Sequence, residues 1–281
     1  MRSSLFFTLL PLLAGFTLAE GAKPPAVEKI SLPVSDWIQR ADLYFAKTSP
    51  EPKGWLLLCP GRNGNGELWV KDKAWFSFAA KHDLWVCGLS FASNRKDDEL
   101  GRYTLVDQGS GDAVLSQCRQ IAGKELPFVV FGFSAGARFT ANFQAWKPGL
   151  VRAWCAQAVG NWPEQTPLEP SPPGIVASGE YDSGAWFSSL QYFQAGRKLG
   201  KPLIWLSLGK TAHKRSAELE EFARDFFDLA LSGPTQPAEA EWRDIDSRKL
   251  LPPSLVKEDP IFAVWLPTKR LAEKWVSVHH P

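Results

Sequence analysis

Gly132-Phe133-Ser134-Ala135-Gly136 directly follows the apolar run Pro127-Phe128-Val129-Val130-Phe131 and precedes a stretch, Ala135 to Trp146, with the apolar spacing of a helix. Strand, sharp turn and helix in that order make this G-x-S-x-G a nucleophile elbow. Its glycines let a strained turn pass close to neighbouring backbone, and the turn leaves the serine hydroxyl exposed at the sheet edge. Ser134 is therefore the candidate nucleophile. The plain alternative, a Gly/Ser turn between two core elements, requires no chemistry.

An unaided serine hydroxyl is a poor nucleophile and needs a base that is itself held by a third group. Downstream, Ile175-Val176-Ala177-Ser178-Gly179-Glu180-Tyr181-Asp182 reads as a short buried strand running into a loop, with Asp182 just past the strand's carboxyl end. Pro202-Leu203-Ile204-Trp205-Leu206-Ser207-Leu208 is a further apolar strand, followed by the loop Gly209-Lys210-Thr211-Ala212-His213. Asp182 is the expected orienting acid and His213 the expected base. Of the other three histidines, His82 falls at the end of a helical stretch, and His279 and His280 sit in the last three residues. Glu180 and Glu164 are fallback acids. Strand alternation would aim Glu180 and Asp182 to one side, so their ranking rests on distance past the strand end. The order Ser, Asp, His, with each group at the carboxyl end of a parallel strand, is that of the α/β-hydrolase fold.

Acyl transfer also needs donors for the oxygen that becomes negative. The first is the backbone N–H of Ala135, at the start of a helix, where amides are unpaired and the helix dipole favours an anion. The second is expected from the loop after the third strand, where Gly54-Trp55-Leu56-Leu57-Leu58-Cys59 runs into Pro60-Gly61-Arg62-Asn63-Gly64-Asn65-Gly66; the amide of Arg62 or of Asn63 is the choice. This loop lacks the Gly-Lys-Ser/Thr ending of a phosphate-binding P-loop. Most of the thirteen tryptophans fit core packing, but Trp162 and Trp186 lie in loops at strand ends and are candidates to line a pocket, with Trp69 as a third.

With these stretches in view, the chain resembles the α/β-hydrolase superfamily, and within it the secreted dienelactone hydrolase, polyhydroxyalkanoate depolymerase and feruloyl esterase branch. The resemblance covers roughly residues 26 to 231. It is carried by Leu58-Cys59-Pro60-Gly61, Gly132-Phe133-Ser134-Ala135-Gly136, Gly179-Glu180-Tyr181-Asp182 and Ala212-His213. It implies a carboxylic-ester hydrolase working through an acyl-enzyme, with no cofactor. Where many esterases carry His-Gly, this chain has Pro60-Gly61. A peptidase or amidase using the same groups, and a binding protein that kept the fold, are the rival readings.

A coarse pass places strands near 26–32, 40–47, 54–60, 84–91, 127–133, 151–158, 174–181 and 202–208. Helical patterns span Asp72 to His82, Gly111 to Ala122, Ala135 to Trp146, Ala185 to Leu199 and Ser216 to Leu231. The alternation predicts one α/β domain over residues 20–231: a mostly parallel eight-stranded sheet between helix layers, with the first two strands as an antiparallel edge. Between Val159 and Gly174, the prolines at 163, 167, 170, 172 and 173 forbid an ordinary helix, so no large cap domain is expected and the site should be open to a bulky or polymer-attached ester.

Met1-Arg2, the apolar stretch Leu5 to Leu18 and Thr17-Leu18-Ala19 read as a signal peptide over residues 1–19, which predicts an exported, secreted or periplasmic, protein. Pro11 and the short apolar length argue against a spanning helix, and no Cys near the cleavage point suggests a lipid anchor. The 32 basic and 30 acidic residues nearly balance, which gives no reason to expect nucleic acid or an anionic membrane as partner. Cys59, Cys87, Cys118 and Cys155 show no metal-ligand pairing; buried free thiols are expected, with a Cys59–Cys87 bridge as the alternative. Residues 232–281 form an extension whose Trp242, Trp265 and Trp275 suggest packing on or beside the domain, with a strand and a short helix inside Ala263 to Trp275.

Overall fold

Runs such as Gly54-Trp55-Leu56-Leu57-Leu58-Cys59 are apolar throughout, not alternating, because strands of a parallel sheet covered on both faces have no solvent side. In the computed structural model, which describes residues 26–33, 38–93, 101–167, 170–233 and 240–281, these runs become the centre of one sheet. Its strands are β1 (Glu28–Ser31), β2 (Ile38–Ala46), β3 (Gly54–Cys59), β4 (Leu84–Ser93), β5 (Phe128–Phe133), β6 (Val151–Gln157), β7 (Gly174–Gly179) and β8 (Leu203–Leu208), in spatial order β1-β2-β4-β3-β5-β6-β7-β8. Strand β2 runs antiparallel to both β1 and β4, and every pair from β4 to β8 is parallel. The expected signal peptide, residues 1–19, lies outside the described residues.

The helices are α1 (Gly66–Val70), α2 (Lys73–Lys81), α3 (Ser110–Ala122), α4 (Ala135–Trp146), α5 (Ser183–Lys198) and α6 (Ala217–Leu231). The connection from β3 to β4 moves one way across the sheet, and all later connections move the other way. Right-handed crossovers therefore put α1 and α2 on one face and α3, α4 and α5 on the other. Side chains agree: Gln144 of α4 donates to Tyr192 of α5 on one side, and on the other Trp75 of α2 donates to Glu220 of α6, whose Phe227 packs on Phe78. The reversal of direction falls between β3 and β5, which is where open α/β sheets leave a crevice at the strands' carboxyl ends. Local chemistry starts the helices: Asp72 accepts from the amides of Ala74 and Trp75, and Ser216 from that of Leu219.

Sequence periodicity passed over α1, because five residues are too few to show a period. It also passed over most of the C-terminal extension. There β9 (Glu241–Asp244) pairs antiparallel with β10 (Ala263–Leu266), α7 (Pro253–Glu258) lies between them, and α8 (Lys269–Val278) follows. This segment enters the main core through Ile245, Val264, Leu266, Leu271 and Trp275. Trp275 donates to the carbonyl of Trp205, Arg197 donates to that of Ala263, and the Arg197 guanidinium lies 4.6 Å from the ring centre of Trp242. His279 bridges to Leu208 and the amide of His280 bonds the carbonyl of Ser207, so the chain's end occupies the open edge of β8.

All four cysteines are buried free thiols. The alternative Cys59–Cys87 bridge does not form, and the Cys87 thiol instead lies within hydrogen-bonding reach of Cys118. Burial pushes the Cys59 thiol up to about 12 and raises those of Cys87 and Cys155 well above the usual range.

Candidate active site

Ser134 sits between β5 and α4 with φ 54° and ψ −121°, a conformation that side chains rarely adopt and that costs about 1–3 kcal/mol. The surroundings hold it there. Its amide donates to the carbonyl of Gln157 (2.8 Å), and its carbonyl accepts from the amide of Arg138 (3.0 Å). A Cβ on Gly136 would overlap the carbonyl oxygens of Cys59 and Pro60, and one on Gly132 would overlap Gly136 and Thr140, so each glycine of the elbow is required by backbone passing against backbone.

His213 Nε2 is 2.8 Å from Ser134 Oγ, and His213 Nδ1 is 2.6 Å from Asp182 Oδ2. An ionised carboxylate only accepts, which assigns the proton to Nδ1 and leaves the Nε2 lone pair toward the serine hydroxyl. The groups are graded in exposure: the His213 side chain is 49% accessible and that of Asp182 12%, with Ser134 half-buried. The ring of Phe133 lies 5.2 Å from the imidazole centre, at 44°.

Asp182 reaches His213 because β7 ends early. Its amide bonds the carbonyl of Gly179 (3.0 Å), closing a turn, so the strand alternation that would pair Glu180 with Asp182 stops at Gly179. Glu180 turns elsewhere and accepts from the amide of Lys210 (2.8 Å), bracing the loop that carries His213. Glu164 is exposed in the proline-rich connection, away from this chain of bonds. His82 bonds Asp228 (2.7 Å), and His279 is buried beneath Trp275.

Around the acceptor side, Ala135 is the first residue of α4, whose leading amides have no partner within the helix. Gly61 lies against Ser134, where a Cβ would come within 3.4 Å of the serine Cβ. The amide of Gly64 bonds the carbonyl of Gly61 (2.9 Å), which puts Arg62 and Asn63 at the tip of a turn, with Asn63 at φ 57° as the third position of a type II turn requires. Arg40 of β2 donates to the carbonyls of Asn63 (3.2 Å) and Gly64 (3.0 Å), fixing those peptide planes.

The three tryptophans are placed differently from one another. Trp162 is half-buried, stacked on Tyr192 at 4.1 Å and donating to Ser189. Trp186 is half-buried in the first turn of α5 and donates to Ser207 (2.9 Å). Trp69 turns inward: it packs on Phe131, and the Arg215 guanidinium covers its face at 4.0 Å, so it presents no surface to a substrate. Arg215 itself donates a pair of hydrogen bonds to the Glu220 carboxylate (2.7 and 2.9 Å), which anchors the base loop to α6. Arg40 and Gln157 escaped the sequence reading because each bonds a loop distant in sequence, and Arg215 because its partners, Glu220 and Trp69, are set by the fold; no motif marks such contacts.

No helix or strand occupies the described residues between β6 and β7, in keeping with the absence of a large cap. A cleft of about 840 Å³ lies elsewhere: Lys53, Pro127, Arg152 and Pro202 line it near the amino ends of the strands, and none of Ser134, Asp182 and His213 does. Among the described residues no three His, Cys, Asp or Glu side chains gather as they would around a metal ion.

No family model and no curated protein matches the sequence. Solved structures do match in shape. An arylesterase superposes with a TM-score of 0.53 at 13% identity, over 75% of this chain and 86% of its own. An esterase of Pyrobaculum calidifontis gives 0.54 at 13%, over 74% and 85%, and the S-formylglutathione hydrolase of Staphylococcus aureus gives 0.52 at 13%, over 75% and 98%. Likeness at this identity establishes the α/β-hydrolase fold, with its mostly parallel eight-stranded sheet.

Proposed function

We propose that the protein is a serine hydrolase that cleaves carboxylic esters through a Ser134-His213-Asp182 triad and an acyl-enzyme. The observation that carries this reading is the unbroken line of hydrogen bonds from Asp182 through His213 to a serine held at a strained elbow. His213 Nε2 takes the hydroxyl proton as Ser134 Oγ adds to the ester carbonyl. The Ala135 amide, with the Arg62 or Asn63 amide from the opposite loop, meets the oxyanion. Collapse breaks the bond to the alcohol oxygen, which receives the proton from His213. Water then repeats the sequence on the acyl-enzyme, releasing the acid and restoring Ser134. Asp182 holds the ring in the required tautomer and balances its transient positive charge.

The half-exposed His213 and the uncapped connection between β6 and β7 favour a bulky or polymer-attached ester that extends beyond the site. The resemblance of the motif stretches to the dienelactone hydrolase, polyhydroxyalkanoate depolymerase and feruloyl esterase branch belongs to the same reading, as does export directed by residues 1–19. No described helix is long and apolar enough to cross a membrane. The test is hydrolysis of a panel from acetyl to feruloyl and polyester substrates by purified protein. Wild-type turnover should fall by roughly 10³-fold or more in Ser134→Ala and in His213→Ala, with folding unchanged. Cleavage of amides but not esters would replace the ester reading with the amidase one, and turnover that survives both substitutions would remove the triad.

A further inference from the structure

We propose that Gln157 is a positioning residue that sets the separation between Ser134 Oγ and His213 Nε2. The inference rests on the reading of those two groups as nucleophile and base.

Gln157 is the last residue of β6 and pairs with Phe133, the residue before the nucleophile. Its carbonyl oxygen accepts the Ser134 amide at 2.8 Å. Its side-chain Nε2 donates to the carbonyl of Lys214, also at 2.8 Å, one residue beyond His213. The base loop is tight at that point, because the Lys214 amide bonds the carbonyl of Ala212 (2.8 Å). One residue thus joins the backbone of the nucleophile to the backbone of the base loop through two hydrogen bonds, although Ser134 and His213 are 79 positions apart in sequence.

The chemistry of the site favours this role over plain packing. Gln157 is fully buried at the end of a strand whose neighbouring positions, Ala156 and Ala158, are also buried. Among the described residues its Oε1 has no hydrogen-bond partner. A buried acceptor left unsatisfied costs stability, and an aliphatic side chain would avoid that cost. What only an amide supplies here is an N–H for the Lys214 carbonyl, and the reversed amide would set oxygen against oxygen. Displacing a base by about 1 Å can cost on the order of 10²-fold in rate, so a bond that fixes the loop's height over Ser134 acts on turnover and not on substrate binding.

The experiment compares wild type, Gln157→Met and Gln157→Glu by steady-state hydrolysis of p-nitrophenyl acetate from pH 5 to 8, with circular dichroism at each pH. Met keeps the volume and removes the donor. The carboxyl of Gln157→Glu donates to the Lys214 carbonyl only when protonated, and burial raises its pKa into an accessible range. Gln157→Met should lose about tenfold or more in kcat with KM within about twofold. The activity of Gln157→Glu relative to Gln157→Met should climb as the pH falls, a change that a purely structural role does not produce. A folded Gln157→Met with wild-type kcat would overturn the proposal, as would parallel pH profiles for the two variants. If Gln157→Glu does not fold, the kcat of Gln157→Met decides alone. Failure of the underlying reading is separate: it would show as wild-type protein whose hydrolysis is unaffected by Ser134→Ala.

Discussion

At the scale of single residues, the site depends on which acid faces which base. Asp182 and Glu180 are two positions apart and both follow a buried strand, so sequence ranked them only by distance past its end. The turn closed by the Asp182 amide on Gly179 separates them, sending one to the imidazole and the other to the Lys210 amide. Asp182→Asn should therefore lower kcat by roughly 10³- to 10⁴-fold, since it favours the wrong histidine tautomer. Glu180→Gln should cost less than about tenfold, because an amide oxygen still accepts from Lys210. Parallel kinetics of the two variants check this, and equal losses would contradict the assignment. Ser134, Asp182 and His213 were legible because strand, turn and helix patterns located them along the chain. Gln157 and Arg40 were not, because their roles exist only once β6 and β2 stand beside loops far away in sequence, and Arg215 was not, because its contacts to Glu220 and Trp69 carry no motif.

At the scale of elements, the crossing of β3 and α4 explains why the elbow needs its glycines. Gly136 stands in the first turn of α4 against the carbonyls of Cys59 and Pro60, at the end of β3, where the opposite loop begins. Gly136→Ala must push these elements apart, and about 2 kcal/mol or more of destabilisation is expected by chemical denaturation, together with loss of activity in what remains folded. An alanine variant as stable and active as wild type would show that the elbow has room the geometry denies. Strand and helix positions were readable here because apolar runs with Gly and Pro boundaries are long in β3, β5 and β8. The five-residue α1 was not readable, since a single turn has no period, and Trp69 inside it, a candidate pocket residue by its place just beyond the loop after β3, is enclosed by Phe131 and Arg215.

At the scale of the whole molecule, the C-terminal extension belongs to the core that supports the site. Its tryptophan content pointed to packing, but its arrangement depends on pairings that no local pattern encodes. His279 shows how far the integration goes: Nδ1 accepts the Ser207 amide (3.1 Å), Nε2 faces the carbonyl of Ile245 (2.7 Å), and burial lowers the ring's pKa from 6.5 to about 4. The folded protein thus holds the ring neutral, while the unfolded chain takes up a proton below pH 6.5. Stability from this group is present above that pH and is lost as pH falls toward about 4, by about 3 kcal/mol in all. Urea denaturation across pH 4 to 8 should show the decline, and His279→Gln should flatten it; identical slopes would contradict the buried neutral ring. On the proposed reading, this fold brings an activated serine to an open surface. The most direct measurement of that reading is intact-mass and peptide mapping of purified protein after reaction with a fluorophosphonate probe, beside Ser134→Ala and His213→Ala. One adduct is expected, on Ser134, absent from both variants. A folded protein that takes no adduct, or takes it on another residue, would contradict it.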